Sequence, residues 1–175
     1  MARYPDELVR KRILFDGSEA TIRPIKADDA PIEADFVRHL SPESRYTRFM
    51  ATVNELPPTK LRYLTDIDYD KHMAFVATVI REGKEVEIGV SRYVVDPNGT
   101  SCEFAIAVDD AWQGSGVAGI LMATLIDTAR ARGLKAMEGI VLGSNHKMLK
   151  FARQLGFSLH RDMEEPDTVN VTRPL

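Results

Sequence analysis

The sequence predicts an α/β fold of the α+β kind, a mixed and mostly antiparallel sheet flanked by helices. Three observations carry this reading. From Cys102 to Arg132 a strand-length apolar run, Phe104 to Val108, passes through the turn Gln113-Gly114-Ser115-Gly116 into a helical pattern. Upstream, three strand-like segments are joined by tight glycine turns, as antiparallel neighbours are. Downstream, strand, helix and two more strands follow with short connections.

In chain order, residues 1–19 read as a polar lead-in. Arg10-Lys11-Arg12 precede Ile13-Leu14-Phe15 and the turn signal Asp16-Gly17, so the basic triplet reads as a solvated approach to an edge strand. Ala20 to Ile25 has strand character, closed by Pro24, which has no N–H to donate. Asp28 and Asp29 open a helix through Ile32, Phe36, Val37 and Leu40. Ser41-Pro42-Glu43 has the cap and first-turn proline of a second helix, through Tyr46, Phe49 and Met50. Pro57-Pro58 starts a third, with Leu61 and Leu64 on one side. Arg45, Tyr46, Arg48 and Phe49 suit a substrate mouth, and ordinary amphipathicity accounts for them equally well.

Met73 to Arg81 and Glu85 to Val95 form a hairpin around Glu82-Gly83-Lys84. Asp96-Pro97-Asn98-Gly99 then turns the chain into the strand Thr100 to Val108. In the next helix Val117, Ile120, Leu121, Leu125 and Ala129 recur at three- and four-residue steps, and Gly133 follows Arg132 as the C-cap. Ala136 to Leu142 reads as a strand weakened by Gly139. Gly143-Ser144-Asn145 leads into a helix over Lys147 to Leu155, with Met148, Leu149 and Ala152 facing inward and Gly156 as the stop. Phe157 to His160 and Thr168 to Thr172 are the last strands.

Composition removes several function classes. With 175 residues, 44% of them hydrophobic, one domain with a real core is expected. A net charge of −3 gives no nucleic-acid signature. Four scattered histidines and the single Cys102 make no metal-ligand spacing, and one cysteine forms no internal disulfide. No apolar run reaches membrane-spanning length and the N-terminus is too polar for a secretory signal. The expectation is a cytoplasmic protein without metal, nucleic-acid or membrane partners.

The glycine turn has a physical use. The first N–H groups of a helix lack internal partners and lie at the positive end of its dipole. Glycines let a phosphate approach that backbone closely. A tight turn alone would also explain them, but the wording is more specific. Gln113-Gly114-Ser115-Gly116-Val117-Ala118 resembles the Q/R-x-x-G-x-G/A motif of the GNAT acetyltransferases, matching at Gln113, Gly116 and Ala118. Asn145 to Phe157 is similar to a second element of that family, matching at Asn145, Gly156 and Phe157. The motifs stand in the family's order, and the resemblance extends from about Ala20 to the end, giving 20–175 as the GNAT domain after the 1–19 lead-in. Tyr4-Pro5, Arg23-Pro24-Ile25, Leu40 to Tyr46 and His72-Met73-Ala74 resemble the acetyltransferase domain of bacterial Pat-type protein lysine acetyltransferases.

The resemblance implies a sheet splayed where acetyl-CoA enters and an N-acetyltransferase activity. It implies that backbone groups of Gln113, Gly114, Ser115, Gly116, Val117 and Ala118 hold the pyrophosphate. It further implies that the Ile106-Ala107-Val108 backbone receives the pantetheine arm, with a Val108 N–H as oxyanion donor. Asn145 would meet the pantetheine or the thioester side, Met148 would also contact the coenzyme, and Lys147 and Lys150 would reach its phosphates. The acceptor would be a primary amine, preferably a protein lysine such as one on an acyl-CoA synthetase. Small amines and a non-catalytic acyl-CoA sensor are the alternatives, and free sheet edges permit a homodimer.

A lysine amine is almost wholly protonated near neutrality and needs a base before it can attack. Glu103, in the Glu-Phe-Ala context that Pat-type enzymes use for theirs, is the candidate catalytic base. Asp109 and Asp110 are alternatives that serve equally as helix-start acids. One departure stands out. The family tyrosine that protonates the leaving thiolate falls on Ala152, leaving Tyr46, Tyr93, His146 or solvent for that task. Cys102 reads as a packed strand residue rather than a nucleophile.

Overall fold

The computed structural model describes residues 2–41 and 56–175. Among them one sheet runs β1 (Arg10–Ile13), β2 (Glu19–Pro24), β3 (His72–Arg81), β4 (Lys84–Val95), β5 (Ser101–Val108), β6 (Ala136–Leu142), β8 (Thr168–Pro174), β7 (Ser158–Arg161) in spatial order. Every neighbouring pair is antiparallel except β5 and β6, which the crossover helix α3 (Val117–Ala131) makes parallel. Helices α1 (Ala30–His39), α2 (Pro58–Thr65) and α4 (His146–Gln154) complete the fold. None of the described helices is long and apolar enough to cross a membrane. The helix expected from Ser41 through Met50 falls, beyond Ser41, outside the described residues, with Arg45, Tyr46, Arg48 and Phe49.

Two sequence expectations shift. Arg10-Lys11-Arg12 do not lead into the edge strand but form it, exposed and paired with β2. Pro24 forms the last β2 rung, opposite Phe75, where its missing N–H costs the ladder least. The helix at Asp28-Asp29 begins as a 3-10 turn and becomes α-helical at Ala30.

The helices occupy both faces of the sheet. Arg92 of β4 donates to the Leu64 carbonyl in α2 at 3.0 Å and to Glu33 in α1 at 3.4 Å. Its neighbour Ser91 points the other way and donates to the Leu121 carbonyl in α3 at 3.1 Å. Being covered on both sides, β3 is buried at every position from His72 to Val79, which explains its apolar run Met73 to Ala77.

Buried charge pins the α1 side. Arg23 grips Asp29 with two 2.7 Å bonds and reaches Glu85. Burial opposes its charge, but the two carboxylates more than compensate. A register shift makes Ile88 an extra residue in β4, since Ala77 pairs with Gly89 while Thr78 pairs with Glu87. The shift brings Glu87 to Glu33, both fully enclosed. Burial raises both carboxyls, and at Glu87 the Glu33 charge adds to it. Both shifts favour the neutral acid, and Glu33 has the Arg92 guanidinium opposite it at 3.4 Å as counter-charge.

Candidate active site

β5 and β6 pair at only three rungs, Ser101↔Ala136, Cys102↔Met137 and Glu103↔Glu138. Beyond Glu103 the strands part. The gap is a cavity of about 740 Å³ walled by Phe104 to Val108 on one side and Ile140 to Leu142 on the other. The start of α4 and Gln113 and Ala118 of the glycine turn complete it. Gly139 is the residue at which β6 leaves β5, and Phe104 explains it. A Cβ on Gly139 would stand 2.5 Å from Phe104 Cε1, so only glycine admits the ring.

The gap-facing backbone follows from hydrogen-bond parity. The Asp109 N–H donates to the Ile88 carbonyl of β4 at 2.9 Å, and the Lys135 N–H donates to the Thr100 carbonyl at 2.7 Å. Odd-numbered β5 residues thus bond β4, and even-numbered ones turn their N–H and C=O groups toward β6. Past the last β5–β6 rung these are the groups of Phe104, Ile106 and Val108, an open strand edge facing the cavity. Such an edge accepts an extended ligand with alternating amides as an added strand.

At the mouth, Gly114 and Gly116 take φ of +81° and +93°, and Gly116 caps α3 in the left-handed region. The Ser115 hydroxyl accepts from the Val117 N–H at 3.4 Å, and the capping Gly116 has no side chain to fold back on the N–H groups that follow, where an anion can be held. The Phe15 N–H donates to the Ser115 carbonyl at 2.9 Å, and its ring lies against Gly116. Nothing in the sequence marked Phe15 as a support of this turn.

Of the residues singled out from sequence, Ile106, Ala107, Val108, Gln113, Ala118, Asn145 and Met148 line the cavity. Gly114 and Ser115 line a smaller cavity on the other side of the turn, beside Phe15, Arg81 and Trp112. The Val117 side chain is buried at the start of α3. Glu103 stands on the last paired rung, immediately before the cavity wall. Asn145 Oδ1 accepts from the Met148 N–H at 3.2 Å, so it also caps α4. Asp109 caps the 3-10 turn through the Ala111 N–H at 2.9 Å, while Asp110 lines the cavity and accepts from Ser41.

Cys102 is buried, and burial, with Asp96 and Glu138, pushes its thiol up to about 12. It is not a nucleophile. Tyr93 is wholly buried on the α3 face, outside the cavity, and its hydroxyl is pushed up to about 12 by burial. His146 and Lys147 line the cavity, whereas Lys150 is exposed outside it.

A sequence profile of the Acetyltransferase (GNAT) family matches residues 35–157, which hold both the splayed strands and the glycine turn. The chain belongs to the GNAT acetyltransferase family. It is 38% identical over 156 residues to the acetyltransferase PA5475 of Pseudomonas aeruginosa, covering 89% of this chain and 84% of that one. It is 32% identical over 136 residues to the acetyltransferase Pat of Mycolicibacterium smegmatis, covering 77% of this chain but 40% of that protein. The crystal structure of the GNAT domain of S. lividans PAT superposes with a TM-score of 0.87 at 30% identity, covering 99% of this chain and 100% of that one. The protein is thus a GNAT-type N-acetyltransferase, and acetyl-CoA is the substrate from which such enzymes draw the acetyl group. In this GNAT chain, Ala152, aligned with the family's tyrosine, is fully buried in α4 and has no proton to give.

Proposed function

We propose that the protein transfers the acetyl group of acetyl-CoA to a primary amine, a protein lysine side chain, with Glu103 as the general base. The observation that carries the reading is the position of Glu103. It ends the β5–β6 pairing on the strand whose Ile106 and Val108 edge would receive the arm, so it stands at the head of the wall along which the thioester is held. Pyrophosphate at the α3 N-terminus and pantetheine along the open edge fit the donors described above. Among residues 20–175, proposed as the acetyltransferase domain, Asn145 and Met148 flank that path. Similarity to Pat proteins supports the protein acceptor.

The chemistry needs three acts. Glu103 takes a proton from the ammonium, directly or through water. The freed amine attacks the thioester carbonyl, forming the C–N bond, while a Val108 N–H stabilises the oxyanion. The C–S bond then breaks, the thiolate leaves, and the nitrogen gives up its second proton to water as the amide forms. With alanine at 152 and Tyr93 sealed away, protonation falls to solvent or His146, and a thiol pKa near 8.5 makes solvent sufficient.

The test is thiol release from acetyl-CoA with acyl-CoA synthetase proteins, polyamines and amino acids as acceptors. Turnover on protein lysine is expected, and Glu103→Gln should cut kcat by about 100-fold or more while acetyl-CoA still binds. Turnover on small amines alone would remove the protein acceptor. Unchanged kcat in Glu103→Gln would remove the base.

A further inference from the structure

Phe104 is the first β5 residue past the last paired rung, and it lines the cavity at the end away from the glycine turn. Its ring does not stay over its own strand. A Cβ on Gly139 of β6 would meet the ring's Cε1 at 2.5 Å and its Cδ1 and Cζ at 2.9 Å, so the ring reaches across to β6 where the two strands part. It is held there on a second side by the Phe157 ring, 5.0 Å away between centroids, and Phe104 is almost wholly buried. Behind it the rungs Cys102↔Met137 and Glu103↔Glu138 close the sheet. By strand alternation Glu103 and Glu138 turn their carboxyl groups to the opposite face, so an alkyl chain finds no apolar way round the ring. The walls leading up to the ring, with Ile106, Ile140, Met148 and Phe151, are apolar.

We infer that Phe104 is a specificity-determining residue whose ring is the end wall of the donor site and sets the longest acyl group the site takes. The inference deepens the proposed function and rests on its donor path, with pyrophosphate at the α3 N-terminus and pantetheine along Val108 and Ile106. On that path the acyl group points away from the glycine turn and toward the ring. Each methylene added to it gains from burial between the apolar walls until the chain meets the ring. The next one has nowhere to go, because the ring is backed by Gly139 and by Phe157 and a packed interior does not yield. Removing the ring leaves space continuous with the donor site, and longer chains then fit.

The experiment titrates the full chain with coenzyme A and with straight-chain acyl-CoA thioesters from acetyl to octanoyl, followed by calorimetry. Each Kd is divided by that of coenzyme A on the same protein, so a general loss of fold or of nucleotide binding cancels. In the wild type the relative affinity should fall by about tenfold or more between two successive members of the series. Phe104→Ala should move that fall to chains longer by about two carbons or more, or remove it from the series. Phe104→Leu, which keeps more of the packing against Phe157, should move it less. A fall at the same length in all three proteins, or none in the wild type, overturns the inference. Neither Glu103 nor an acceptor takes part in this binding, so a shifted fall without turnover on any amine would sustain the inference and remove the acetyl-transfer reading. Absence of any acyl-CoA binding to the wild type would overturn both.

Discussion

Replacing Gly139 by alanine tests whether the parting of β5 and β6 is built on a single ring. The new Cβ would lie 2.5 Å from Phe104 Cε1 and 2.9 Å from its Cδ1 and Cζ. Carbon atoms pack best at about 3.5–4.0 Å, so the ring must retreat by about 1 Å. It has little room, since Phe104 is only 5% exposed and the Phe157 ring lies 5.0 Å away between centroids, tilted by 51°. Overpacking of this kind costs about 1–3 kcal/mol, against which the stiffer unfolded chain returns about 0.4–1 kcal/mol. The expected net loss is about 1–2 kcal/mol, read as a lower urea midpoint with an unchanged slope. In a Phe104→Ala background every ring atom that meets the new Cβ is gone, and Gly139→Ala should become neutral or stabilising. The double-mutant cycle should then show a coupling of about 1–3 kcal/mol. Additive effects of the two substitutions would refute the steric account.

Two further outcomes follow from the same coordinates. Gly116→Ala forces a left-handed alanine, a strain of about 1–2 kcal/mol, and sets its Cβ 3.1 Å from the Phe15 ring. Gly114→Ala carries similar strain with nothing within 4 Å, so acetyl-CoA affinity should fall further for Gly116→Ala, and Phe15→Ala should close the difference; equal losses would count against Phe15 as a support. The buried Glu87 carboxyl, raised by burial and by Glu33, binds a proton in the folded state that the unfolded chain releases near pH 4.3, roughly. Its stabilising contribution is present below that pH and is lost as pH rises through its raised folded pKa. Glu87→Gln should therefore flatten the fall of Tm with rising pH, and an identical slope in wild type and variant would show that Glu87 does not carry it.

The sequence by itself determined the local elements and the chemistry of the turn. Val117–Ala131 and Ala136–Leu142 form between the residues that the apolar periodicity indicated, because a repeat of 3.6 or 2 is written in neighbouring residues. The glycine turn before α3 was legible in the same way, and the motif resemblance singled out Gln113, Ala118 and Asn145, which line the cavity. Only the tertiary structure decided which residues meet. Gly139 weakened a strand in the sequence, and the ring that requires it lies 35 positions earlier, on the neighbouring strand. One extra residue in β4 decided that Glu87 reaches Glu33 beneath α1, since a slip of one position turns a side chain to the other face. Such pairings depend on contacts distant in sequence, whose partners no local period records. The same register that pairs Glu103 with Glu138 also fixes where the strands separate, and with it where the cavity between them begins.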